Sequence, residues 1–431
     1  MYLVLTMNTS SFYLKKILLV FLSIFLFSNF LSANKIETSL LQEAGFSKQR
    51  LSKIDENIIK AIQNKEIPGA VIAISRYGKI VYKKAFGMQD PQKQIPMTED
   101  SIFRIYSMTK PIISTAAMML NEDGLIYLNE NLNKYIPEFN NMTVSVEYID
   151  KKGKKQEKIV EANNKIKIHN LLKHTSGLTY GAFGKSFAKR RIKSSKLSNL
   201  NIEDITLEQY VKEIAKFPLA YQPNTVWEYG RSIEVLGRVI EIASNKTLDV
   251  FLKDRIFNPL DMKDTAFHVD ESKWHRVAEP FKDKQPQLIS IRNKPLFLTG
   301  GHGLVSTIDD YMKFCMMFLK KGKVNDNSIL SRKTVEYMTT NHIGNNISRG
   351  TPLYLPGPGY GFGLGFAVRE SNGLSSWPGS EGEYFWAGYA GTYFWIDPKE
   401  ELIVISMTQS VTNRMRFRLL LRNLVYQAII N

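Results

Sequence analysis

A serine and a lysine three residues apart open an apolar stretch in the first third of the chain. Ser107 and Lys110 lie in "FRIYSMTKPIIS", residues 103–114. Positions three apart share one face of a helix, so the Lys110 amine can reach the Ser107 hydroxyl. A neutral lysine can activate a serine, and burial disfavours the charged ammonium. The pair therefore predicts acyl transfer through a covalent serine intermediate.

Pro111 indicates where the helix that carries this pair begins. Proline lacks an N–H and is tolerated in the first helical turn, which predicts a helix start near Ser107. A helix N-terminus offers free N–H groups and partial positive charge, and both favour an oxyanion. The same spacing recurs at Ser186 and Lys189, which we expect in a polar basic loop. On spacing alone, a helix-capping serine at position 107 fits as well as a nucleophile.

The surrounding patterns predict the elements that position these residues. Two β-rich runs flank Tyr77-Gly78 and predict a hairpin, and "VSVEYIDKKGKKQEKIVE" predicts a second hairpin on the surface. Helices are predicted from residue 112 to Gly124 and over 233–244, and an amphipathic helix over 414–430. Strands return late in the chain, in "GFGLGFAV", "GTYFWIDP" and "ELIVISMTQ". This order predicts an α/β (α+β) fold with a discontinuous sheet domain, residues 34–115 and 296–431, and a mainly helical inserted domain, residues 116–295.

The composition is that of a large globular protein with a basic surface. The 431 residues are 44% hydrophobic and 23% charged, with a formal net charge of +16. A basic stretch, "KRRIKSSK" at residues 189–196, would allow weak contact with an anionic envelope surface, although a solvated loop explains it more simply. No nucleic-acid-binding module is visible. Cys315, the single cysteine, excludes an internal disulfide and lies in a helical pattern that predicts a buried thiol.

The first 33 residues have the pattern of a secretory signal peptide. Lys15 and Lys16 precede an apolar run at residues 17–31, which is short for a membrane span, and Leu31-Ser32-Ala33 resembles a cleavage site. This predicts export to the periplasm or the medium, and an uncleaved membrane anchor is the alternative.

Several stretches in order resemble the serine β-lactamase-like superfamily, in its class C and esterase-type branch. The stretch around Ser107 is similar to the nucleophile helix of that family, and "IHNLLKHTSGL", "GGHGLVSTIDDYMKF" and "YGFGLGF" resemble later family segments. The resemblance spans residues 45–430. It implies a β-lactamase/transpeptidase-like fold, in which an antiparallel sheet is flanked by helices and a mainly helical domain is inserted. It also implies that Ser107 is the nucleophile and Lys110 its base.

The family's second motif, Tyr-x-Asn, is only partly present. In "PNTVWEYGRSIEVLGRVIE" the tyrosine position holds Tyr229, which the resemblance implies as an assistant in proton transfer. Arg231 occupies the asparagine position, where esterase-type members often lack asparagine. Arg231 could contact the substrate, and a solvated arginine explains it equally well.

The third motif, Lys-Thr-Gly or His-Thr-Gly, aligns with Trp386-Ala387-Gly388. We expect these three residues to bind substrate, and the backbone N–H groups of Ser107 and Tyr389 are implied as the oxyanion hole. Such donors each contribute about 3 kcal/mol to transition-state stabilisation. Because Trp386 replaces a cation that holds the carboxylate of β-lactams, a neutral ester or amide is favoured as substrate.

These features predict an exported serine hydrolase that forms an acyl-enzyme on Ser107, most directly a carboxylesterase acting on neutral small esters. Two alternatives stay open: a D,D-peptidase, D-aminopeptidase or β-lactamase acting on envelope peptides or β-lactams, and an inactive penicillin-binding-like binding protein. No cofactor and no metal are expected, since the sequence has no H-E-x-x-H motif. It also has no G-x-S-x-G elbow, the mark of a different esterase fold. The oligomeric state is not indicated.

Overall fold

The structure is a computed structural model, and it describes residues 40–199, 204–282, 286–324, 327–349 and 354–431. The predicted signal peptide lies outside the described residues. Within these ranges, no helix is both long and apolar enough to cross a membrane. The described chain folds around one large antiparallel sheet, with helices and three two-stranded sheets beside it.

Eight of the strands form the large sheet, in the order β10-β11-β12-β13-β14-β1-β2-β3. The strands of the described residues, in chain order, are β1 (Gly69–Arg76), β2 (Lys79–Asp90), β3 (Ile95–Pro96), β4 (Phe103–Arg104), β5 (Thr143–Ile149), β6 (Lys155–Glu161), β7 (Val305–Ser306), β8 (Lys323–Val324), β9 (Asn327–Ser328), β10 (Tyr360–Phe362), β11 (Ala367–Arg369), β12 (Tyr384–Ala387), β13 (Tyr393–Asp397) and β14 (Leu402–Met407). Every neighbouring pair in the large sheet is antiparallel. The last strand therefore pairs with the first, and this pairing joins the two ends of the chain in one layer.

The sheet centre forms where the sequence is continuously apolar. Every residue of β1 and of β14 is buried, as expected for strands covered on both faces. The turn between β1 and β2 is the predicted one, with Tyr77 at φ 52° and Gly78 at φ 74°. Two successive positive φ values are typical of the tight hairpin turn whose twist matches its strands.

The helices pack around this sheet and around each other. In chain order they are α1 (Lys48–Gln63), α2 (Thr109–Glu122), α3 (Ile168–Leu172), α4 (Phe187–Lys193), α5 (Leu207–Ile214), α6 (Ser232–Ser244), α7 (Leu248–Leu252), α8 (Ile308–Leu319), α9 (Arg332–Met338) and α10 (Arg414–Tyr426). Helix α8 packs on β14 and β1, α10 packs on α1, and α2 packs on α6. Cys315 on α8 is fully buried, which confirms the predicted core thiol.

The antiparallel sheet with flanking helices confirms the predicted fold class, and the proposed domain bounds stay a prediction. The large sheet draws its strands from residues 69–96 and 360–407, and most of the helices lie in the chain between them. The stretch "GFGLGFAV" forms two strands, because the chain turns between β10 and β11. The C-terminal helix ends at Tyr426, four residues earlier than expected.

The basic stretch at residues 189–196 is not the loop that the sequence suggested. Residues 187–193 form helix α4, and the Ser186 side chain caps it by accepting a hydrogen bond from the Lys189 N–H. The Lys189 side chain is buried and forms an ion pair with buried Glu228, with Nζ and Oε1 2.9 Å apart. Lys189 therefore belongs to the interior, whereas most of its basic neighbours on α4 stay exposed.

Candidate active site

The chain enters helix α2 through one short turn that carries Ser107. Residues Tyr106–Met108 form a 3₁₀ turn, and the α-helix follows from Thr109. Pro111 is the third residue of that helix, where its missing N–H removes no helical hydrogen bond. Met108 occupies the capping position without a side-chain cap. The Ser107 side chain therefore does not cap the helix.

Tyr106 adopts a strained backbone conformation immediately before Ser107. Its φ of 45° is unusual for a bulky residue, and such conformations cost on the order of 1–3 kcal/mol. The surrounding structure holds it in place: its hydroxyl accepts a hydrogen bond from the Ile289 N–H at 3.0 Å, and its ring meets the Tyr389 ring edge-on at 5.5 Å. This strain brings the Ser107 side chain to the base of a cavity.

The Ser107 hydroxyl forms hydrogen bonds with both Lys110 and Tyr229. Ser107 Oγ lies 3.1 Å from Lys110 Nζ and 2.8 Å from the Tyr229 hydroxyl oxygen. Lys110 Nζ also lies 4.7 Å from the centre of the Tyr229 ring and donates to the Gly301 carbonyl oxygen at 2.6 Å. The Lys110 side chain is 1% exposed. The structure thus brings together the three residues that were predicted as catalytic.

Aromatic packing positions the Tyr229 ring. The ring lies 5.0 Å from His174, 5.4 Å from Tyr180, 5.5 Å from Trp386 and parallel to Trp227 at 6.0 Å. A side chain on the next residue is impossible, since a Cβ on the glycine at 230 would lie 2.0 Å from a backbone oxygen. Tyr229 therefore has little freedom to leave the Ser107 hydroxyl.

Arg231 does not contact the cavity, so the structure does not agree with the predicted substrate contact. Its guanidinium is buried beneath the site and donates to Glu234 Oε1 at 3.3 Å and to the Leu197 carbonyl at 2.9 Å. It also lies 4.4 Å from the centre of the Tyr180 ring. The side chain points away from the substrate side because Glu234, on the first turn of α6, provides its counter-charge.

Glu234 is the buried anion of the region beneath the nucleophile. Burial opposes its ionisation, but His302, whose Nδ1 lies 3.6 Å from Oε1, and the charge of Arg231 hold the pKa of Glu234 below the usual range. Its Oε1 also accepts from the Tyr180 hydroxyl at 3.0 Å. This carboxylate is the counter-charge of the buried Arg231 guanidinium.

A cavity of about 270 Å³ lies over Ser107. The predicted site residues that line it are Ser107, Tyr229, Trp386, Ala387, Gly388 and Tyr389. Its other walls are mostly apolar, with two arginines, and comprise Phe183, Leu355, Trp377, Phe385, Tyr393, Arg414, Met415, Arg418 and Leu419. A small apolar pocket with few polar groups is typical of a site for a small organic substrate.

Gly388 allows the end of β12 to approach the nucleophile turn. A Cβ at this position would lie 2.4 Å from the Ile105 carbonyl oxygen and 2.1 Å from Thr392 Oγ1. The Gly388 N–H donates to the Thr392 carbonyl at 2.8 Å and closes the turn that ends in β13. Within the described residues, the N–H of the next residue, Tyr389, has no protein acceptor. It is therefore available to a bound oxygen atom.

The fold and this site define an enzyme of the serine hydrolase class, in which a lysine and a tyrosine contact the candidate nucleophile. The sequence profile of the Beta-lactamase family matches residues 54–427, and the chain belongs to this family. The predicted resemblance is thereby confirmed.

Esterases are among the relatives of this chain. Esterase EstB of Burkholderia gladioli is 29% identical over 255 residues, which are 58% of this chain and 60% of EstB. Lovastatin esterase of Penicillium rubens is 29% identical over 307 residues, 68% of this chain and 73% of that protein. The solved structure of EstCE1, a hydrolase with promiscuous acyltransferase activity, has a TM-score of 0.73 at 26% identity and covers 88% of this chain and 99% of its own. Family, relatives and fold identify this chain as a serine hydrolase.

Sequence reasoning missed the contributions of Gly301, Arg414 and Arg418. The two arginines lie four apart on α10 and reach the cavity, but an amphipathic C-terminal helix rich in arginine is typical of a solvated surface. Gly301 contributes only its backbone carbonyl, for which a sequence carries little signal. The GGHG stretch that contains it is the one hint, because adjacent glycines allow close approach of the backbone.

Proposed function

We propose that this protein is an exported carboxylesterase that hydrolyses small neutral esters through an acyl-enzyme on Ser107. The observation that carries the proposal is the position of Ser107 Oγ, within hydrogen-bond distance of both Lys110 and Tyr229 at the base of an apolar cavity. A nucleophile needs a base within this distance, and the rest of the cavity needs only to hold the acyl or alcohol group.

The chemistry follows from the positions of the groups. Ser107 Oγ attacks the ester carbonyl while its proton passes to Lys110, with Tyr229 bridging to the leaving oxygen. The alcohol departs with that proton and leaves the acyl group on Ser107. Water then attacks the acyl carbonyl, the bond to Ser107 Oγ breaks, and the carboxylic acid is released. The same groups carry the proton of the water to Oγ, which restores the serine hydroxyl. The N–H groups of Ser107 and Tyr389 stabilise the oxyanion in both steps.

The residues that line the cavity favour an ester with an apolar group of modest size as the substrate. Trp386 occupies the place of the cation in the third family motif, and its indole packs at 5.5 Å against the Tyr229 ring. Esterase EstB and lovastatin esterase carry esterase activity in their names, which agrees with this substrate class. Ala387 and Gly388 would contact the acyl chain at the C-terminal end of β12.

A second candidate is hydrolysis of a β-lactam or a peptide with a terminal carboxylate. The observation in its favour is the pair of cationic side chains, Arg414 and Arg418, in the wall of the cavity. Turnover of a short-chain p-nitrophenyl ester is compared with turnover of a chromogenic cephalosporin, with Ser107→Ala as the control for both. Turnover of the cephalosporin alone would contradict the esterase proposal.

A catalytically inactive binding protein is tested with the same samples. Intact-protein mass spectrometry after treatment with a fluorophosphonate should show one adduct, mapped to Ser107 and missing in Ser107→Ala. An unmodified mass with both the fluorophosphonate and a β-lactam would instead favour a binding protein.

Export rests on the sequence of residues 1–33, and contact with an anionic envelope surface rests on the exposed basic residues of α4. We expect a mature N-terminus close to residue 34 in protein recovered from the periplasm or medium. N-terminal sequencing of the fractionated protein tests this directly, and an intact N-terminus in the membrane fraction would indicate the uncleaved anchor instead.

A further inference from the structure

Arg418 connects the C-terminal helix to the turn that presents Tyr389. Its Nη2 atom donates hydrogen bonds to the carbonyl oxygens of Gly388 and, at 3.3 Å, of Thr392. These two carbonyls lie on either side of the tight turn between β12 and β13. The guanidinium therefore fixes α10 to the backbone that closes the cavity beside Ser107.

The charge of Arg418 is not explained by an ion pair. Arg416 and Arg422 on the same helix pair with Glu66 and Glu383, whereas no carboxylate within the described residues pairs with Arg418. Its Nε atom is buried without a hydrogen-bond partner, and burial lowers the pKa of its guanidinium to about 10. Arg418 is partly buried, and removing a cation from water without a counter-ion costs free energy, so stability alone does not account for this residue.

The hydrogen bond to Gly388 determines the direction of the next N–H. In a planar trans peptide the carbonyl oxygen and the following N–H point in opposite directions. The Gly388 carbonyl accepts from Arg418 and also from the Gly391 N–H at 3.2 Å. The Tyr389 N–H must then point away from Arg418, and the cavity that both residues line extends from Arg418 to Ser107.

The cation also makes that N–H a better donor. Positive charge at a carbonyl oxygen polarises the peptide unit and increases the partial positive charge on its hydrogen, as in any chain of hydrogen bonds. The effect is stronger away from water, and the Arg418 Nε atom is shielded from solvent. One side chain thus both aims and strengthens the N–H of Tyr389.

We propose that Arg418 is a positioning residue, which aims and polarises the Tyr389 N–H toward the oxygen atom that becomes negative during acyl transfer. This inference rests on the proposed function, because it assumes that the reaction passes through an oxyanion at Ser107. It assigns to α10 a role in the rate of the reaction, although α10 supplies no group to the reacting atoms.

The test compares Arg418→Ala and Arg418→Lys with Arg416→Ala, a matched control that removes an exposed arginine from the same helix. With a neutral p-nitrophenyl ester, Arg418→Ala should lower kcat about 10- to 100-fold and leave KM nearly unchanged. A donor that is no longer aimed correctly stabilises the transition state less, whereas binding of the uncharged substrate is unaffected. Arg418→Lys should retain an intermediate kcat. Millimolar guanidinium should restore part of the kcat of Arg418→Ala and leave wild type unchanged.

The rate of fluorophosphonate labelling at Ser107 gives a second readout that does not depend on a good substrate. The phosphoryl oxygen of the reagent occupies the place of the oxyanion, so Arg418→Ala should label about 10- to 100-fold more slowly. This is less than the roughly 100- to 1,000-fold cost of removing a donor, because the Tyr389 N–H itself remains. Circular dichroism and thermal unfolding show whether each variant is folded.

The outcomes separate this inference from the proposed function. If wild type hydrolyses the ester and Arg418→Ala matches it in kcat and labelling rate, the positioning role is overturned. The proposal that the protein is an esterase is then unaffected. A KM increase confined to esters that carry a carboxylate would show that Arg418 contacts the substrate instead. A loss of kcat that guanidinium does not restore, with a lowered unfolding temperature, would show a structural role. Failure of wild type both to turn over ester and to label would overturn both proposals.

Discussion

The Lys110 Nζ atom lies 2.6 Å from the carbonyl oxygen of Gly301, a residue 191 positions away in the chain. A carbonyl oxygen can only accept, so a neutral amine that donates to it keeps its lone pair available for the proton of Ser107. Gly301 can approach this closely because it has no side chain: a Cβ there would lie 2.3 Å from Glu234 Oε1. Backbone from the segment before β7 therefore orients the predicted base.

Gly301→Ala should impair both the activity and the stability of the protein. The added methyl group must displace either the Glu234 carboxylate or the carbonyl that holds Lys110, and overpacking of this kind costs about 1–3 kcal/mol. A shift of the amine by an ångström could lower kcat on the order of 100-fold. Ester turnover and denaturant unfolding measure the two effects. Gly373→Ala, where a Cβ meets nothing within 4 Å, is the control, and equal behaviour of the two variants would contradict the role of Gly301.

Lys110→Met should abolish most of the activity while the protein remains folded. Methionine fills a similar volume and cannot accept the Ser107 proton, and the loss of a general base typically lowers the rate about 10²- to 10⁴-fold. The measurement is kcat with a p-nitrophenyl ester, with circular dichroism as the folding control. Activity within about threefold of wild type would exclude Lys110 as the base, since this is far below the effect expected for a base.

Tyr229→Phe should have a smaller effect on kcat and almost none on stability. The substitution keeps the aromatic packing against Trp227 and Trp386 and removes only the hydroxyl that lies 2.8 Å from Ser107 Oγ. The loss of one hydrogen bond to a group that becomes charged corresponds to about 10- to 100-fold in rate. A normal kcat together with a lowered unfolding temperature would instead assign Tyr229 to packing alone.

The stability of the protein should fall as the pH is lowered below 6.5, and His174 should contribute to that loss. Burial lowers the pKa of His174 from its ordinary value of 6.5 to about 3. Because the folded-state pKa is depressed, the unfolded state binds the proton more readily between these values. Stability is therefore fully present above pH 6.5 and declines by up to about 1.4 kcal/mol per pH unit for this group.

His174→Asn removes this titration, and asparagine tolerates the left-handed backbone at this position, φ 55°. Urea unfolding from pH 7 to pH 4 should give a shallower dependence of the free energy of unfolding on pH than wild type, even though the variant is less stable at pH 7. An unchanged slope would show that His174 is not neutral in the folded state.

The local features of the site could be predicted from sequence because short-range geometry determines them. The three-residue spacing of Ser107 and Lys110 puts both side chains on one helical face, and Pro111 restricts the start of that helix. The turn at Tyr77-Gly78 follows in the same way from two adjacent residues between β-rich runs. The stretch at residues 189–196 was predicted wrongly as a loop, because burial of Lys189 against Glu228 depends on a partner 39 residues away.

Arg231 shows the limit of a motif read without its surroundings. By alignment the residue occupies a position that contacts substrate. Its long cationic side chain instead turns toward a carboxylate, that of Glu234, which lies beneath the site. Likewise, the sequence of α10 gives no indication that Arg418 forms hydrogen bonds with the turn at Gly388. No sequence pattern relates these two residues, which are 30 positions apart.

From the sequence by itself, three-residue spacing predicted the serine–lysine pair, and ordered motifs that resemble the β-lactamase family implied the antiparallel sheet with its flanking helices. Each of these signals lies within a short stretch of chain. Only the tertiary structure decided which distant groups surround Ser107: the hydroxyl of Tyr229, the carbonyl of Gly301 and the turn held by Arg418. The physical reason is that hydrogen bonds act over about 3 Å, and which groups come within that distance depends on how the whole chain packs.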